Sequence, residues 1–386
     1  MLDRYFTYQF ISALKHIAYG SMTIETPDGR CYSFAGANPG ANAQMQLHRW
    51  DVITAMARRG DAGLAESYSY GGWDSPDPAA LFLFGLQNQE SLNDYIYGSM
   101  LGRLAARAAY FFNRNTISGS RKNIVSHYDL GNNFYALWLD PTMTYSSAIF
   151  ANENEPLAQA QHNKYDRILD RLQPSGSLLE IGCGWGGFAE RAVERGDYRI
   201  KGLTISDAQH EFASARLGQK AQIALEDYRT QSGKYDQLVS IEMFEAVGEK
   251  FWPVYFEKVK SLLADKGRAM IQTITIADEW FESYRRGGDA IRTYIFPGGM
   301  LPSPERFQAA AQQAGLRVAD RYAFGQDYAR TLSHWLDNFE ARLGDVRALG
   351  FDEKFIRMWR FYLTCCIAAF RHGRTDVMQW ELQHAA

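Results

Sequence analysis

The sequence predicts an α/β protein with a Rossmann-like, doubly wound sheet and a smaller N-terminal α+β domain. The first observation is a short apolar run at 178–181 that leads into four glycines between Gly182 and Gly187 and then into a helical run. Strand, glycine turn and helix in this order form the first βα unit of a nucleotide-binding sheet. The second observation is that strand and helix patterns alternate as far as residue 275. The third is a hairpin pattern in the first part of the chain.

The N-terminal domain is predicted to cover residues 1–96. Residues 20–35 alternate between polar and apolar side chains on both sides of a Pro-Asp-Gly turn, which predicts a β-hairpin. Helices are expected at 50–58 and 78–87, and Asp77 is a suitable N-cap for the second.

A junction is predicted at residues 97–122, ahead of a larger domain at 123–386. A helical wheel places apolar residues on one side of the junction and Arg103, Arg107 and Arg114 on the opposite side. The segment is either a surface helix docked on its own protein or an interfacial helix that lies on anionic lipid.

The larger domain contains the alternating pattern. Strands are expected at 178–181, 198–203, 222–225, 235–241 and 268–275. Most of them run into a cluster of polar residues, and ligands of doubly wound sheets bind at these carboxyl ends. Helical segments are expected later in the chain, at 280–292, 303–314 and, largely, 328–380.

Composition excludes several classes of protein. A net charge of −3 argues against a nucleic-acid binder that uses its whole surface. The four cysteines show neither metal-ligand spacing nor a disulfide framework, so no metal site is predicted and a cytoplasmic location is expected. We also expect neither a secretory signal peptide nor a membrane-spanning segment.

Six motifs occur in order in the larger domain. They are His127-Tyr-Asp-Leu-Gly-Asn-Asn, Asp140-Pro-Thr-Met-Thr-Tyr-Ser, Glu180-Ile-Gly-Cys-Gly-Trp-Gly, Gly202-Leu-Thr-Ile-Ser, Met243-Phe-Glu-Ala-Val-Gly and Ile295-Phe-Pro-Gly-Gly-Met-Leu-Pro-Ser. Together they resemble the cyclopropane-fatty-acyl-phospholipid synthase family, strongly over residues 120–340 and more weakly over the N-terminal domain. The resemblance implies a class I methyltransferase fold and S-adenosylmethionine as cofactor. It also implies a substrate, the double bond of an unsaturated acyl chain on a membrane phospholipid.

The resemblance further implies which residues bind the cofactor. Tyr145 and Ser146 would hold its methionine end, and Gly182 and Gly184 would pass close beneath it. The other residues implied are Glu180 in the glycine motif, Thr204, Ile205, Ser206 and Gln209 on the ribose side, and Asp227 and Tyr228 beside the adenine.

Members of this family hold a bicarbonate ion that acts as a base, using a cysteine, a glutamate, a histidine and a tyrosine. Here Glu245 and Tyr328 match, whereas Ser147 stands at the cysteine position and Gln272 at the histidine position. Serine and glutamine can still donate hydrogen bonds to an anion, but the possible positive charge of an imidazole is lost. Whether this protein binds bicarbonate therefore stays open. These four residues are the candidate catalytic residues, with Glu245 expected to be the base if bicarbonate is absent.

The leading hypothesis is a C-methyltransferase that adds a methyl carbon to an unsaturated phospholipid acyl chain. A methyl-substituted unsaturated product ranks slightly ahead of a cyclopropane. The alternatives are a true cyclopropane synthase, a small-molecule methyltransferase, and a non-catalytic protein that binds S-adenosylmethionine or lipid. The expected partners are the phospholipid and the inner face of a membrane, bound peripherally; a homodimer is left open.

Overall fold

The computed structural model describes residues 2–96 and 130–385. Its contacts divide the chain into two compact units. The first contains the described N-terminal residues together with 282–297 and 335–374, and the second contains most of the remainder. Both units are assembled from separated stretches of chain. The predicted domain boundary at residue 96 lies at the edge of the described residues. The boundary at 122 and the arginines of the junction lie outside them, so these assignments stay predictions.

The helices alternate with strands along much of the chain. The α-helices are α1 (Leu2–Ala13), α2 (Asp51–Arg59), α3 (Asp61–Ser69), α4 (Pro78–Gln87), α5 (Gln89–Ile96), α6 (Asn132–Ala136), α7 (Leu157–Arg171), α8 (Gly187–Arg195), α9 (Asp207–Leu217), α10 (Trp252–Leu262), α11 (Asp278–Arg286), α12 (Pro304–Gln313), α13 (Gly325–Ala341), α14 (Leu343–Ala348) and α15 (Glu353–His372). The strands are β1 (Tyr19–Glu25), β2 (Cys31–Ala35), β3 (Asn38–Leu47), β4 (Trp73–Asp74), β5 (Ser175–Ile181), β6 (Asp197–Thr204), β7 (Ala221–Leu225), β8 (Tyr235–Ile241), β9 (Leu263–Ile276), β10 (Leu316–Ala323) and β11 (Thr375–His384).

The first unit contains a four-stranded sheet with the order β2-β1-β3-β4. Strands β1 and β2 pair antiparallel, which confirms the predicted hairpin. Met22 and Ile24 on β1 are buried in the core of this unit. Helix α4 begins as predicted, because the Asp77 carboxylate accepts a hydrogen bond from the backbone of Ala80 at 2.9 Å. Strand β3 and helix α1 were not predicted.

The second unit contains a seven-stranded sheet with the order β10-β11-β9-β8-β5-β6-β7. Strands β5 to β9 run parallel to one another, and β11 runs antiparallel to both β9 and β10. The predicted doubly wound sheet is thus confirmed. The order reverses between β5 and β8, since β6 and β7 lie on one side of β5 and the later strands on the other. Such a switch point opens a crevice at the carboxyl ends of the two strands.

The end of the chain differs from the prediction of a largely helical segment at 328–380. Helices α13 to α15 are present, but Thr375–His384 forms strand β11 in the interior of the sheet. Buried strands usually appear as continuous apolar runs, and here the buried Gln379 and Glu381 interrupt the run. Pairing with β9 and β10 on its two sides satisfies this backbone.

Candidate active site

The glycine turn after β5 faces open space at the switch point. Gly182, Gly184 and Gly186 have φ angles of +82°, +51° and +82°, which glycine adopts readily and other residues rarely. A Cβ atom at Gly184 would meet no atom of residues 2–96 and 130–385 within 4 Å, whereas one at Gly182 would lie 3.0 Å from the Met243 side chain. As far as these residues are concerned, the space above Gly184 is free for a ligand that approaches the backbone closely.

Ser146 is held in place from helix α7, and Tyr145 packs on an aromatic neighbour. The buried Lys164 ammonium donates a hydrogen bond to Ser146 Oγ at 2.6 Å, and Gln161 Nε2 donates to the Ser146 carbonyl at 2.9 Å. The half-buried Tyr145 ring packs against Trp138, with 5.4 Å between ring centroids. The segment that precedes them includes Met143 at a φ angle of +54°. Such backbone strain persists where the surrounding structure enforces it.

Glu180, at the end of β5, is only 2% exposed. Burial raises its pKa well above the usual range, and the positive charge of Lys164 opposes this effect. Its Oε2 atom has no hydrogen-bond partner among the residues that the structure describes. Because buried polar atoms are almost always hydrogen-bonded, this oxygen fits a site whose ligand donates to it. Burial also lowers the pKa of Lys164 to about 7.

The predicted ribose-side residues lie after β6 and bond to one another. Thr204 Oγ1 donates to Gln209 Oε1 at 2.8 Å, and Ser206 Oγ accepts from the Gln209 amide at 3.4 Å as the N-cap of α9. Ile205 between them is half-buried. These hydrogen bonds explain the conformation of the turn after β6. Contact of these residues with a cofactor stays a prediction.

The predicted adenine-side residues lie after β7. Asp227 forms an ion pair with Arg229 at 2.6 Å. Burial opposes ionisation of Asp227, but the hydrogen bonds from Arg229 hold its pKa below the usual range. Burial raises the pKa of Tyr228 to about 12, so its hydroxyl is protonated and can donate. An adenine-side role remains a prediction for both residues.

The structure brings together Ser147, Gln272 and Tyr328, and it places them around Glu242. The Ser147 amide donates to Glu242 Oε1 at 2.9 Å, and Gln272 Nε2 donates to the same oxygen at 2.7 Å. The Tyr328 hydroxyl donates to Glu242 Oε2 at 2.6 Å. Glu242 was not among the predicted site residues, although an acid directly after an apolar strand was a signal for it.

The predicted base Glu245 lies one short turn further on. Its Oε1 accepts a hydrogen bond from the Ile274 amide, and its Oε2 is buried without a hydrogen-bond partner in the described part of the chain. Burial and the neighbouring charge of Glu242 raise the pKa of Glu245 to about 8. Glu245 therefore holds a proton at neutral pH, and none of the other three predicted catalytic residues bonds to its carboxylate within the described contacts.

Gln272 is oriented by a second glutamine on the neighbouring strand. Gln379 lies opposite Gln272 in the β11–β9 ladder, and its Nε2 donates to Gln272 Oε1 at 3.0 Å. Arg167 donates to Gln379 Oε1 at 2.7 Å, which determines the orientation of that amide in turn. The NH₂ group of Gln272 consequently points to Glu242.

Within residues 2–96 and 130–385, no three metal-ligating side chains form a cluster that could hold a metal ion, and no helix is long and apolar enough to cross a bilayer.

Comparison with known proteins identifies similar sequences and structures. The family model of the mycolic acid cyclopropane synthetases matches residues 116–380. The tuberculostearic acid methyltransferase of Mycobacterium tuberculosis is 37% identical over 356 residues, which cover 87% of this chain and 82% of that protein. The cyclopropane-fatty-acyl-phospholipid synthase of Escherichia coli is 32% identical over 379 residues, covering 93% and 94%. A crystal structure of a mycolic acid cyclopropane synthase complexed with SAH and CTAB has a TM-score of 0.63 at 34% identity, covering 68% of this chain and 98% of that one.

Proposed function

The chain belongs to the mycolic acid cyclopropane synthetase family and is an S-adenosylmethionine-dependent methyltransferase, and we propose that its substrate is the double bond of an unsaturated acyl chain on a membrane phospholipid. The observation that carries this proposal is the position of two adjacent serines. Ser146, which we propose holds the methionine end of the cofactor, accepts a hydrogen bond from Lys164, and the backbone amide of Ser147 donates to the carboxylate of Glu242. A group that donates a methyl and a group that can accept a proton would thus lie on either side of one substrate.

The cofactor supplies an electrophilic methyl group. We propose that Gly182 and Gly184 let it approach the backbone and that Tyr145 and Ser146 hold its methionine end. Two observations support this assignment: the space above Gly184 is open among the described residues, and Glu180 Oε2 has no hydrogen-bond partner among them. The assignments of Thr204, Ile205, Ser206, Gln209, Asp227 and Tyr228 belong to the same proposal.

The other residues of the site would orient the alkene and exclude water. An alkene is a weak nucleophile, so close approach and a dry site provide much of the rate. Methyl transfer leaves a positive charge on the acyl chain, which an aromatic face can stabilise without forming a covalent bond. Tyr145, next to Ser146, and Tyr328, hydrogen-bonded to Glu242, are the candidates for this aromatic face. Phe244, just beyond the end of β8, is fully buried and stacks on Trp252, so it serves the core.

We further propose that the protein works peripherally at the inner face of a membrane, on the cytoplasmic side. The positive charges of Arg103, Arg107 and Arg114, which the sequence predicts to share one side of a helix, support this, because basic residues attract anionic lipid. The four cysteines Cys31, Cys183, Cys365 and Cys366 are all unpaired thiols, as in proteins of a reducing compartment.

The test is incubation of the purified protein with methyl-labelled S-adenosylmethionine and liposomes of unsaturated phospholipid. We expect label in the acyl chains, and none when the liposomes contain only saturated phospholipid. Proton NMR of the extracted lipid distinguishes the products, because cyclopropane hydrogens resonate far upfield. We expect a methyl-substituted chain that keeps a double bond. Ring hydrogens would instead favour the second candidate function, a cyclopropane synthase.

A further inference from the structure

Three hydrogen-bond donors from distant parts of the chain converge on one carboxylate. The groups are the Ser147 amide, the Gln272 side chain and the Tyr328 hydroxyl, at 2.9, 2.7 and 2.6 Å from Glu242 oxygens. Two of the donors bind Oε1 and one binds Oε2. Hydrogen bonds to the ionised form are what stabilise a buried carboxylate.

These three residues occupy three of the four positions that the family resemblance assigns to the bicarbonate ion. A carboxylate and a bicarbonate ion both present two oxygens of a planar, negatively charged group. The Glu242 carboxylate therefore uses the donors that would otherwise bind the free ion. A second anion at the same place would lie within a few ångströms of Glu242, and like charges at that distance oppose one another's ionisation.

The backbone of Glu242 is held in an unfavourable conformation that directs the side chain to this place. Its φ angle is +48°, and Met143 is the other non-glycine residue with a positive φ in the described chain. A non-glycine residue in this region is strained and persists only where the surroundings enforce it. The Glu242 amide donates to the Gln272 carbonyl at 2.8 Å, which ties the strained residue to β9.

The charges around the two glutamates place the negative charge on Glu242. Burial raises the pKa of Glu242, but Tyr328, Lys164, Ser147 and Gln272 all oppose this effect and favour its ionised form. Glu245 lacks these partners, and the charge of Glu242 adds to the effect of burial on its pKa. One proton shared by the two groups would therefore reside on Glu245, which leaves Glu242 ionised.

We infer that the Glu242 carboxylate takes the place of the bicarbonate ion and is the base of the reaction. Methyl transfer forms a carbon–carbon bond to one alkene carbon, breaks the bond from that methyl to sulfur and leaves a positive charge on the other alkene carbon. Glu242 then accepts a proton from a carbon next to the charged one. The electron pair of that C–H bond forms the new double bond, and Glu242 later releases the proton to solvent. This inference rests on the proposed function.

Two variants of Glu242 test the inference. Glu242→Gly removes the carboxylate, leaves the three donors facing a vacancy and places glycine at a φ angle that it adopts readily. Glu242→Gln keeps the size of the side chain and fills the position with a group that is not a base. Labelled lipid is measured in buffer freed of carbon dioxide and again with added bicarbonate, and calorimetric titration with S-adenosylmethionine confirms that each variant is folded.

We expect the wild-type rate to be the same with and without bicarbonate. Both variants should lose about a hundredfold or more of the activity, as is typical when a general base is removed. Bicarbonate should restore Glu242→Gly by about tenfold or more, since the free ion can supply the missing base, and should leave Glu242→Gln unchanged.

Several results would overturn the inference. One is a wild-type protein that needs bicarbonate, and another is a Glu242→Gly variant that keeps its activity without added bicarbonate. A third is that added bicarbonate restores activity in neither variant, or equally in both. A wild-type protein that labels no lipid under any condition would instead remove the proposed function, and this inference with it.

Discussion

Replacing Gly184 by valine should abolish binding of S-adenosylmethionine and leave the fold intact. A side chain at this position would project into space that no atom of the described residues occupies within 4 Å, so none of those residues would clash with it. The space is the predicted place of the cofactor, and valine would fill it with three additional carbon atoms.

The backbone cost of this change can be separated from its effect on the ligand. A side chain at the φ angle of +51° of Gly184 costs roughly 1–2 kcal/mol. Gly218 provides a matched control, because its φ angle is +55° and a Cβ there also meets no atom of the described chain within 4 Å. Gly218 follows the C-terminus of α9, whereas the predicted site lies at the N-terminus of that helix.

The assay is calorimetric titration with S-adenosylmethionine, together with thermal unfolding of both variants. Gly184→Val and Gly218→Val should lose similar amounts of stability. Only Gly184→Val should lose affinity, by about a hundredfold or more, which corresponds to roughly 2.8 kcal/mol. Undiminished affinity in a folded Gly184→Val protein, or an equal loss in both variants, would show that the cofactor binds elsewhere.

Three further predictions concern the carboxylates, the amide network and the membrane. Glu245 has a pKa raised to about 8, so the folded protein keeps a proton that the unfolded chain releases. As the pH rises from the ordinary glutamate pKa to pH 8, the free energy of unfolding should therefore fall by up to roughly 1.4 kcal/mol per pH unit. Denaturant titrations should show that the free energy of unfolding falls less steeply with pH in Glu245→Gln than in the wild type. Parallel pH profiles of the two proteins would contradict the raised pKa. Gln379→Glu would accept a hydrogen bond from the Gln272 amide and turn its NH₂ group away from Glu242, so kcat should fall while affinity for S-adenosylmethionine stays the same; an unchanged kcat would mean that Gln379 does not orient Gln272. Replacing Arg103, Arg107 and Arg114 together by glutamate should weaken binding to anionic liposomes, by on the order of 1 kcal/mol per residue at most. Co-sedimentation with anionic liposomes should therefore fall, and co-sedimentation with neutral liposomes should not change. Pelleting with anionic liposomes at the wild-type level would mean that this face does not contact lipid.

The sequence alone determined the parallel part of the sheet and the glycine turn at its switch point. Strand β8 covers residues 235–241 as predicted, and the glycine turn follows β5 as predicted. These features are local, because a buried strand and a turn at positive φ each leave a pattern within a few residues. Strand β11 has a weaker sequence pattern, because polar residues interrupt its apolar run. Those residues find their hydrogen-bond partners only in the folded chain.

The tertiary structure alone decided which glutamate is surrounded by the candidate catalytic residues. Glu242 and Glu245 lie three positions apart, and nothing local distinguishes the environments of their carboxylates. The distinction comes from Ser147, Gln272 and Tyr328, which are 95, 30 and 86 residues away from Glu242 along the chain. It also depends on the positive φ of Glu242, which the surrounding contacts enforce. Hydrogen bonds between residues so far apart leave no periodic signal in a sequence, so only the folded chain shows them.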